Sequence, residues 1–146
     1  MRLMFKERET LERRSKQFAL RIMRMTRSLP NNPEAWVISK QILRSGTSVA
    51  ANYRATARAR SRADFVSKMG IVVEEADETL FWLEMLSEAE LLPTHRLDPL
   101  MGEAKEMLAI FASSYRTARA ATRSTDHEIN RSEDVPRSSD HQIDKS

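Results

Sequence analysis

Arg44, Glu75 and Glu78 are the residues of this sequence best placed to do chemistry together. If the chain folds back on itself around Ala59 and Arg60, residues whose numbers sum to about 120 lie at one height of a helix pair. Arg44 is then level with Glu75 and Glu78. Ser48 and Asn52 follow one and two turns along the same side, and Thr79 completes the group. A guanidinium among carboxylates, hydroxyls and an amide admits two readings. It is a buried or half-buried polar layer that sets helix register, or it is a site for a ligand or a nucleic-acid group. Buried charge needs a partner, so the carboxylates are expected to be paired. An enzyme or small-ligand site around Arg44 and Glu78 would further require a pocket with convergent polar groups.

The second chemical feature is cationic. Arg54, Arg58, Arg60, Arg62 and Lys68 surround the expected turn, opposed by Asp64. Arg13, Arg14, Lys16, Arg21, Arg24 and Arg27 line an earlier helical stretch. Such residues can neutralise phosphates without reading sequence, and binding of that kind weakens with salt. They can equally form the solvated face of a helical protein. No RNA-recognition signature and no aromatic platform is interleaved with them.

Other chemistry is scarce. His95, His127 and His141 are scattered, and none pairs at metal-ligand spacing. Glu74, Glu75, Asp77 and Glu78 resemble half of a di-metal bundle site, but that design also wants Glu-x-x-His elements, which are missing. There is no glycine-rich phosphate loop and no nucleophile elbow. We therefore expect no catalytic residue, no metal and no cofactor. Without cysteine the chain forms no disulfide or thiolate site, which fits a reducing cytoplasm. No apolar run is long enough to span a membrane, and Met1-Arg-Leu-Met-Phe-Lys6 lacks the apolar stretch of a signal peptide.

The elements that would position these residues are helices. Only three glycines and five prolines interrupt 146 residues rich in Ala, Leu, Met, Arg and Glu. Leu11, Phe18, Ile22, Met25 and Leu29 recur at helical spacing and predict a first helix over 10–29, stopped by Pro30-Asn31-Asn32-Pro33. Asn32 is a good N-cap and Pro33 a good first residue for a second helix over 33–58. Ser61 and Asp64 resemble a capping box ahead of a third helix reaching 89. Its stripe of Phe65, Met69, Val72, Ala76, Leu80, Leu83 and Leu86 is the clearest period in the chain. Asp98-Pro99 predicts the start of a fourth helix, carried to about 119 by Leu100, Ala104, Met107, Leu108, Phe111, Tyr115 and Ala118.

Residues 1–121 thus read as one all-α domain, an antiparallel up-down-up-down four-helix bundle. Residues 122–146 lose the apolar period and read as a disordered polar tail. That tail holds four basic and six acidic residues of the chain's 24 and 21, so the body is more basic than the overall net charge of +3. Gly46 and Gly70 fall at nearby heights of the second and third helices. Since glycine costs about 1 kcal/mol in a helix interior, they suggest that these two backbones are held close.

At Gln41-Ile-Leu-Arg-Ser-Gly-Thr-Ser-Val-Ala-Ala-Asn-Tyr53, with Asp64-Phe65, Glu78-Thr79, Trp82-Leu83 and the stretch from Glu88 to Leu92, the chain resembles the four-helix family named for 23S rRNA intervening sequences. The resemblance covers about residues 10–120. It implies an antiparallel bundle that assembles into rings, often pentamers, in bacteria. An accessory protein of diversity-generating retroelements has a similar fold, forms a basic pentameric barrel and binds nucleic acid and a reverse transcriptase. The resemblance thus implies a homo-oligomer that binds RNA or DNA, with a nucleic-acid-processing protein as a further partner. It implies no catalytic residue. This chain departs from the family pattern at Arg54, where an acidic residue is common, which makes the region more basic.

The expected function is that of a non-enzymatic homo-oligomer holding nucleic acid through Arg13, Arg14, Arg21, Arg24, Arg54, Arg58, Arg60 and Arg62. Its rival is a protein-interaction scaffold in which Met23, Met25, Trp36 and Phe81 serve subunit or partner contacts.

Overall fold

The computed structural model describes residues 2–133, with side chains from residue 6 onward. They form four helices: α1 (Arg2–Thr26), α2 (Pro33–Ala55), α3 (Arg62–Glu88) and α4 (Thr94–Glu133). Cross-helix pairs come in opposite sequence order, as antiparallel neighbours require. Arg8 of α1 reaches Thr56 just beyond α2, while Ile22 packs on Gly46. Likewise Arg14 meets Glu103 of α4, while Arg96 near the start of α4 donates to Ser28 just past α1. Of the neighbouring pairs, α1 and α4 pack least closely.

Phe18, Ile22, Ile42, Val49, Met69, Val72, Leu83, Leu86, Leu97, Met107 and Phe111 form the core, drawn from all four helices. Each lies on the apolar stripe of its helix, so burial of these stripes is the main driving force for the bundle. Tyr53 and Phe111 meet across the centre, with ring centroids 5.1 Å apart.

Two caps form as their residues dictate. The Asn32 side chain accepts from the Ala35 N–H at 2.8 Å, with Pro33 in the first turn. Ser61 accepts from the Asp64 N–H, and the Asp64 carboxylate accepts in return from the Arg60 N–H and from Lys68. These contacts hold the Asp64 carboxyl below the usual carboxylate range, with Lys68 the largest cause.

Helix α1 ends at Thr26, three residues short of the expected Leu29, and four other boundaries differ from the sequence expectation. Helix α1 begins at Arg2 and not near Thr10, because nothing in its first turns breaks a helix. Thr10 lies inside it and bonds back to the Lys6 carbonyl. The last residues expected in the second helix tighten into a 3-10 turn, Thr56–Arg58. Helix α4 starts at Thr94, so Pro99 lies within it. Leu92 and Leu97 flank that start at the positions of a hydrophobic staple, and both join the core. That burial outweighs the hydrogen bond Pro99 cannot donate, whose acceptor would be on exposed His95. Finally, α4 runs past Arg119 to Glu133, so residues 122–133 are helical where a disordered tail was expected. Ala118, Ala120 and Ala121 favour helix there, and the helix absorbs the hydroxyls of Thr122, Ser124 and Thr125, which bond to carbonyls four residues back. Residues 134–146 of the expected tail lie outside the described residues.

The glycines also act differently from expectation. They do not bring α2 and α3 together. A Cβ on Gly46 would meet Ile22 of α1 at 3.3 Å, and one on Gly70 would meet Tyr115 of α4 at 3.4 Å. Each permits a close approach, but to the other neighbour of its helix.

Candidate nucleic-acid interface

The register expected for α2 and α3 places Arg44 against both carboxylates. Its guanidinium donates to Glu75 at 3.2 Å and to Glu78, and Glu78 also accepts from the indole of Trp82 at 3.2 Å. The Arg44 side chain is 51% exposed, so this is a surface network and not a buried layer. Arg44 holds the Glu78 carboxyl below its ordinary value, and Trp82 helps. Ser48 and Asn52 do not join it. The Asn52 amide donates to the Ser48 hydroxyl and carbonyl one turn earlier on α2. Thr79 turns inward instead, sharing a 2.9 Å hydrogen bond with Ser45 and lying 2.7 Å from the Glu75 carbonyl. Both hydroxyls are fully buried. Ser45 was not singled out from sequence, although its number and that of Thr79 fit the same register.

The cations divide into three groups. Arg14 is taken up structurally: it is forked between Glu103, at 3.0 Å from Nη2, and Glu106, also at 3.0 Å. The hydrogen bonds to Glu103 and Glu106 raise the Arg14 pKa, and the Glu103 carboxyl is lowered by Arg14 first and by Arg21 less. Arg14 therefore belongs to the α1–α4 contact, while the half-buried Arg21 makes no ion pair among the described residues and only adds to the positive field at Glu103.

The second group faces α2. Arg13 and Lys16 of α1 share a cleft of about 470 Å³ with Arg54, Thr47, Ala50 and Ala51 of α2. Two alanines leave the floor open. One carboxylate, Glu12, also lines this cleft, and it lies 3.7 Å from Arg8. Among the described residues, Arg13, Lys16 and Arg54 make no ion pair.

The third group sits at the turn. Arg60 and Arg62 line a second cleft, of about 460 Å³, with Thr56, Phe65, Ala118 and Ala121. Arg58 is exposed at the end of the 3-10 turn, one helical turn beyond Arg54. Asp64, the acid nearest in sequence, is engaged with Lys68. Arg24 is exposed on α1, apart from both clefts.

Several exposed apolar side chains lie elsewhere. Trp36 and Val37 at the start of α2 are more than half exposed, and Phe81 and Met85 lie on the outer face of α3 near its end. The Phe81 and Trp82 rings touch edge to face. Met23 is exposed as expected, whereas Met25 is a core residue and cannot serve a partner contact. Among the described residues, no helix is long and apolar enough to cross a membrane, and no cluster of His, Asp and Glu is placed to hold a metal ion.

Residues 9–113 match the family described as 23S rRNA-intervening sequence protein. A solved crystal structure from Bacteroides thetaiotaomicron, a protein of unknown function from the S23 ribosomal protein family, shares 37% identity with this chain. It superposes with a TM-score of 0.69 over 75% of this chain and 97% of its own. No curated protein matches.

Proposed function

The chain belongs to the family of 23S rRNA-intervening sequence proteins, and on that premise we propose that it is a non-enzymatic, homo-oligomeric helical bundle of the bacterial cytoplasm that binds RNA or DNA through its basic surface. The observation that carries this reading is the cleft in which Arg13, Lys16 and Arg54 converge without a paired carboxylate. Like charges gathered at one place repel each other, and an incoming polyanion relieves that repulsion. The contact set is Arg13, Lys16, Arg24, Arg54, Arg58, Arg60 and Arg62. Arg14 is withdrawn from it because Glu103 and Glu106 of α4 hold it, and Arg21 because its side chain is half-buried on the same side of α1.

Self-association is supported by Trp36, Val37, Phe81 and Met85, which leave large apolar side chains in water on the lone chain. The same residues favour a second reading, a scaffold whose partner is a protein, including one that processes nucleic acid. Two measurements separate the readings. The first is a fluorescence titration of nuclease-treated protein with a structured RNA and a duplex DNA, at low and at physiological salt. Binding that falls with salt, and that weakens when Arg54, Arg58, Arg60 and Arg62 are changed to Glu, supports the first reading. No binding at low salt moves the assignment to the scaffold. The second is capture of a protein partner from nuclease-treated lysate, with no nucleic acid retained, which favours the scaffold directly.

A further inference from the structure

We propose that the nucleic acid held by this protein is double-stranded, gripped by its phosphates across the end of the bundle where α2 turns into α3. This inference rests on the nucleic-acid reading above and adds the class of ligand.

The position of the cations comes first. Arg54 closes the cleft shared with Arg13 and Lys16, and Arg58 follows one turn later. Arg60 and Arg62 then line the second cleft on the other side of the same turn. Six cations thus flank one chain reversal and carry no ion pair among the described residues. Thr56 of the 3-10 turn ties this end to α1 by accepting from Arg8 at 2.8 Å and bonding back to the Tyr53 carbonyl. The clefts are therefore mounted on a braced turn and not on a loose loop.

The position of the aromatic rings comes second. Single strands are held by stacking bases on exposed rings, whereas duplexes hide their base faces and present phosphates. Among the described side chains, no ring is free for stacking at the basic end. Tyr53 is buried against Phe111, Tyr115 has the Arg119 guanidinium 6.0 Å from its centroid, and Phe65 is half-buried, packed on the core at the cleft wall. The exposed rings among the described side chains, Trp36 and Phe81, belong to the opposite end of the α2–α3 pair. Trp82, the second tryptophan, is at that opposite end too, beside Glu78.

A surface with convergent cations and no stacking platform among its described side chains favours the ligand with the higher density of phosphates. A duplex carries twice the backbone charge of a single strand at similar length, and counterion release scales with the phosphates neutralised.

The test is fluorescence anisotropy of the full chain with an end-labelled RNA duplex, the matching DNA duplex and each separate strand, at one salt concentration. At least one duplex is expected to bind about tenfold or more tighter than its strands. Protein tryptophan emission should stay unchanged at saturation. The triple variant Arg13→Ala, Lys16→Ala, Arg54→Ala should lower the slope of log K against log salt by up to about 2.7, with its circular dichroism unaltered. Phe65→Leu should bind duplex as the parent does. Strands that bind as tightly as duplexes, tryptophan quenching on saturation, or a tenfold loss with Phe65→Leu would each overturn the duplex assignment while leaving nucleic-acid binding intact. An unchanged salt slope in the triple variant would overturn the cleft. No binding of any probe at low salt would remove the underlying reading and this inference with it.

Discussion

Arg14 of α1 and Glu103 of α4 form a forked, largely shielded ion pair, with side chains 27% and 19% exposed, across the helix pair that otherwise packs least closely. Glu106 adds a second acceptor to the same guanidinium. A residue that sequence alone groups with a nucleic-acid-binding row is thereby a brace between the first and last helices. Removing Arg14 leaves a half-buried carboxylate without its donor.

Arg14→Ala should therefore lower stability by about 1–2 kcal/mol at neutral pH, more than an exposed pair would. The pH dependence has a definite sign. Glu103 is held below the ordinary carboxylate range, so the folded state binds its proton less readily than the unfolded chain does. The pair's contribution is fully present above the unfolded value, about 4.3, and is lost as pH falls through the lower folded value. Urea denaturation of parent and Glu103→Gln should show a gap at pH 7 that narrows toward about pH 2.5. A gap independent of pH would mean that packing and not charge ties α1 to α4.

Arg44→Ala should change the melting temperature much less than Arg14→Ala. Its guanidinium is half in water and its carboxylate partners can be rehydrated when it leaves. Thermal denaturation of the two variants side by side decides this. A larger loss for Arg44→Ala would mean that the α2–α3 network is covered, for instance by a second copy of the chain.

Gly46 and Gly70 should respond to alanine in opposite directions. At Gly46 the new Cβ would meet Ile22, which is fully buried and β-branched and has nowhere to move. Overpacking costs about 1–3 kcal/mol there, against a gain of about 1 kcal/mol from helix propensity, so stability should fall. At Gly70 the neighbour is the edge of the half-buried Tyr115 ring, which can shift. There the propensity gain should win, raising stability by up to about 1 kcal/mol. Chemical denaturation of Gly46→Ala and Gly70→Ala tests both signs.

The Ser45–Thr79 hydrogen bond should behave as a coupled pair. Thr79→Val alone removes one hydroxyl and leaves Ser45 in a dry interior with only a 3.4 Å contact to the Ile42 carbonyl. A loss of about 1–3 kcal/mol is expected. Adding Ser45→Ala should cost less than its effect in the parent, with a coupling of about 0.5–1.5 kcal/mol in a double-mutant cycle. Strict additivity would show that the two hydroxyls are satisfied independently.

Glu90 has a φ of 57°, the left-handed conformation that ends α3. Leu91 N–H bonds the Leu86 carbonyl and Glu90 N–H that of Ser87, the two bonds of a Schellman cap. Glycine adopts this conformation without the Cβ clash that Glu90 bears. Glu90→Gly should raise stability by about 1 kcal/mol, read from the denaturation midpoint at unchanged m-value.

Much of the molecule was legible in its residues because local rules and burial agreed. Asn32-Pro33 and Ser61 mark helix starts through groups within four residues of each other, and the stripe from Phe65 to Leu86 names its own buried face. The register of α2 against α3 followed from a short turn, and it placed Arg44 beside Glu75 and Glu78 correctly. The start of α4 was misjudged because Asp98-Pro99 is a strong local signal. Leu92 and Leu97, each unremarkable alone, gain more by entering the core than Pro99 loses.

What the sequence by itself determined is therefore the class of fold, four amphipathic helices with their caps, and the surplus of positive charge. These depend on spacing along one helix or across one short turn. Only the tertiary structure decided which cations are free. Arg13 and Arg14 are adjacent in sequence, yet about 100° of helix rotation points one toward α2 and the other toward α4. One shares an open cleft with Lys16 and Arg54, while the other is held by Glu103 and Glu106. The acid that pairs with a cation is chosen by how the helices come together, and that is settled by the packing of the whole core.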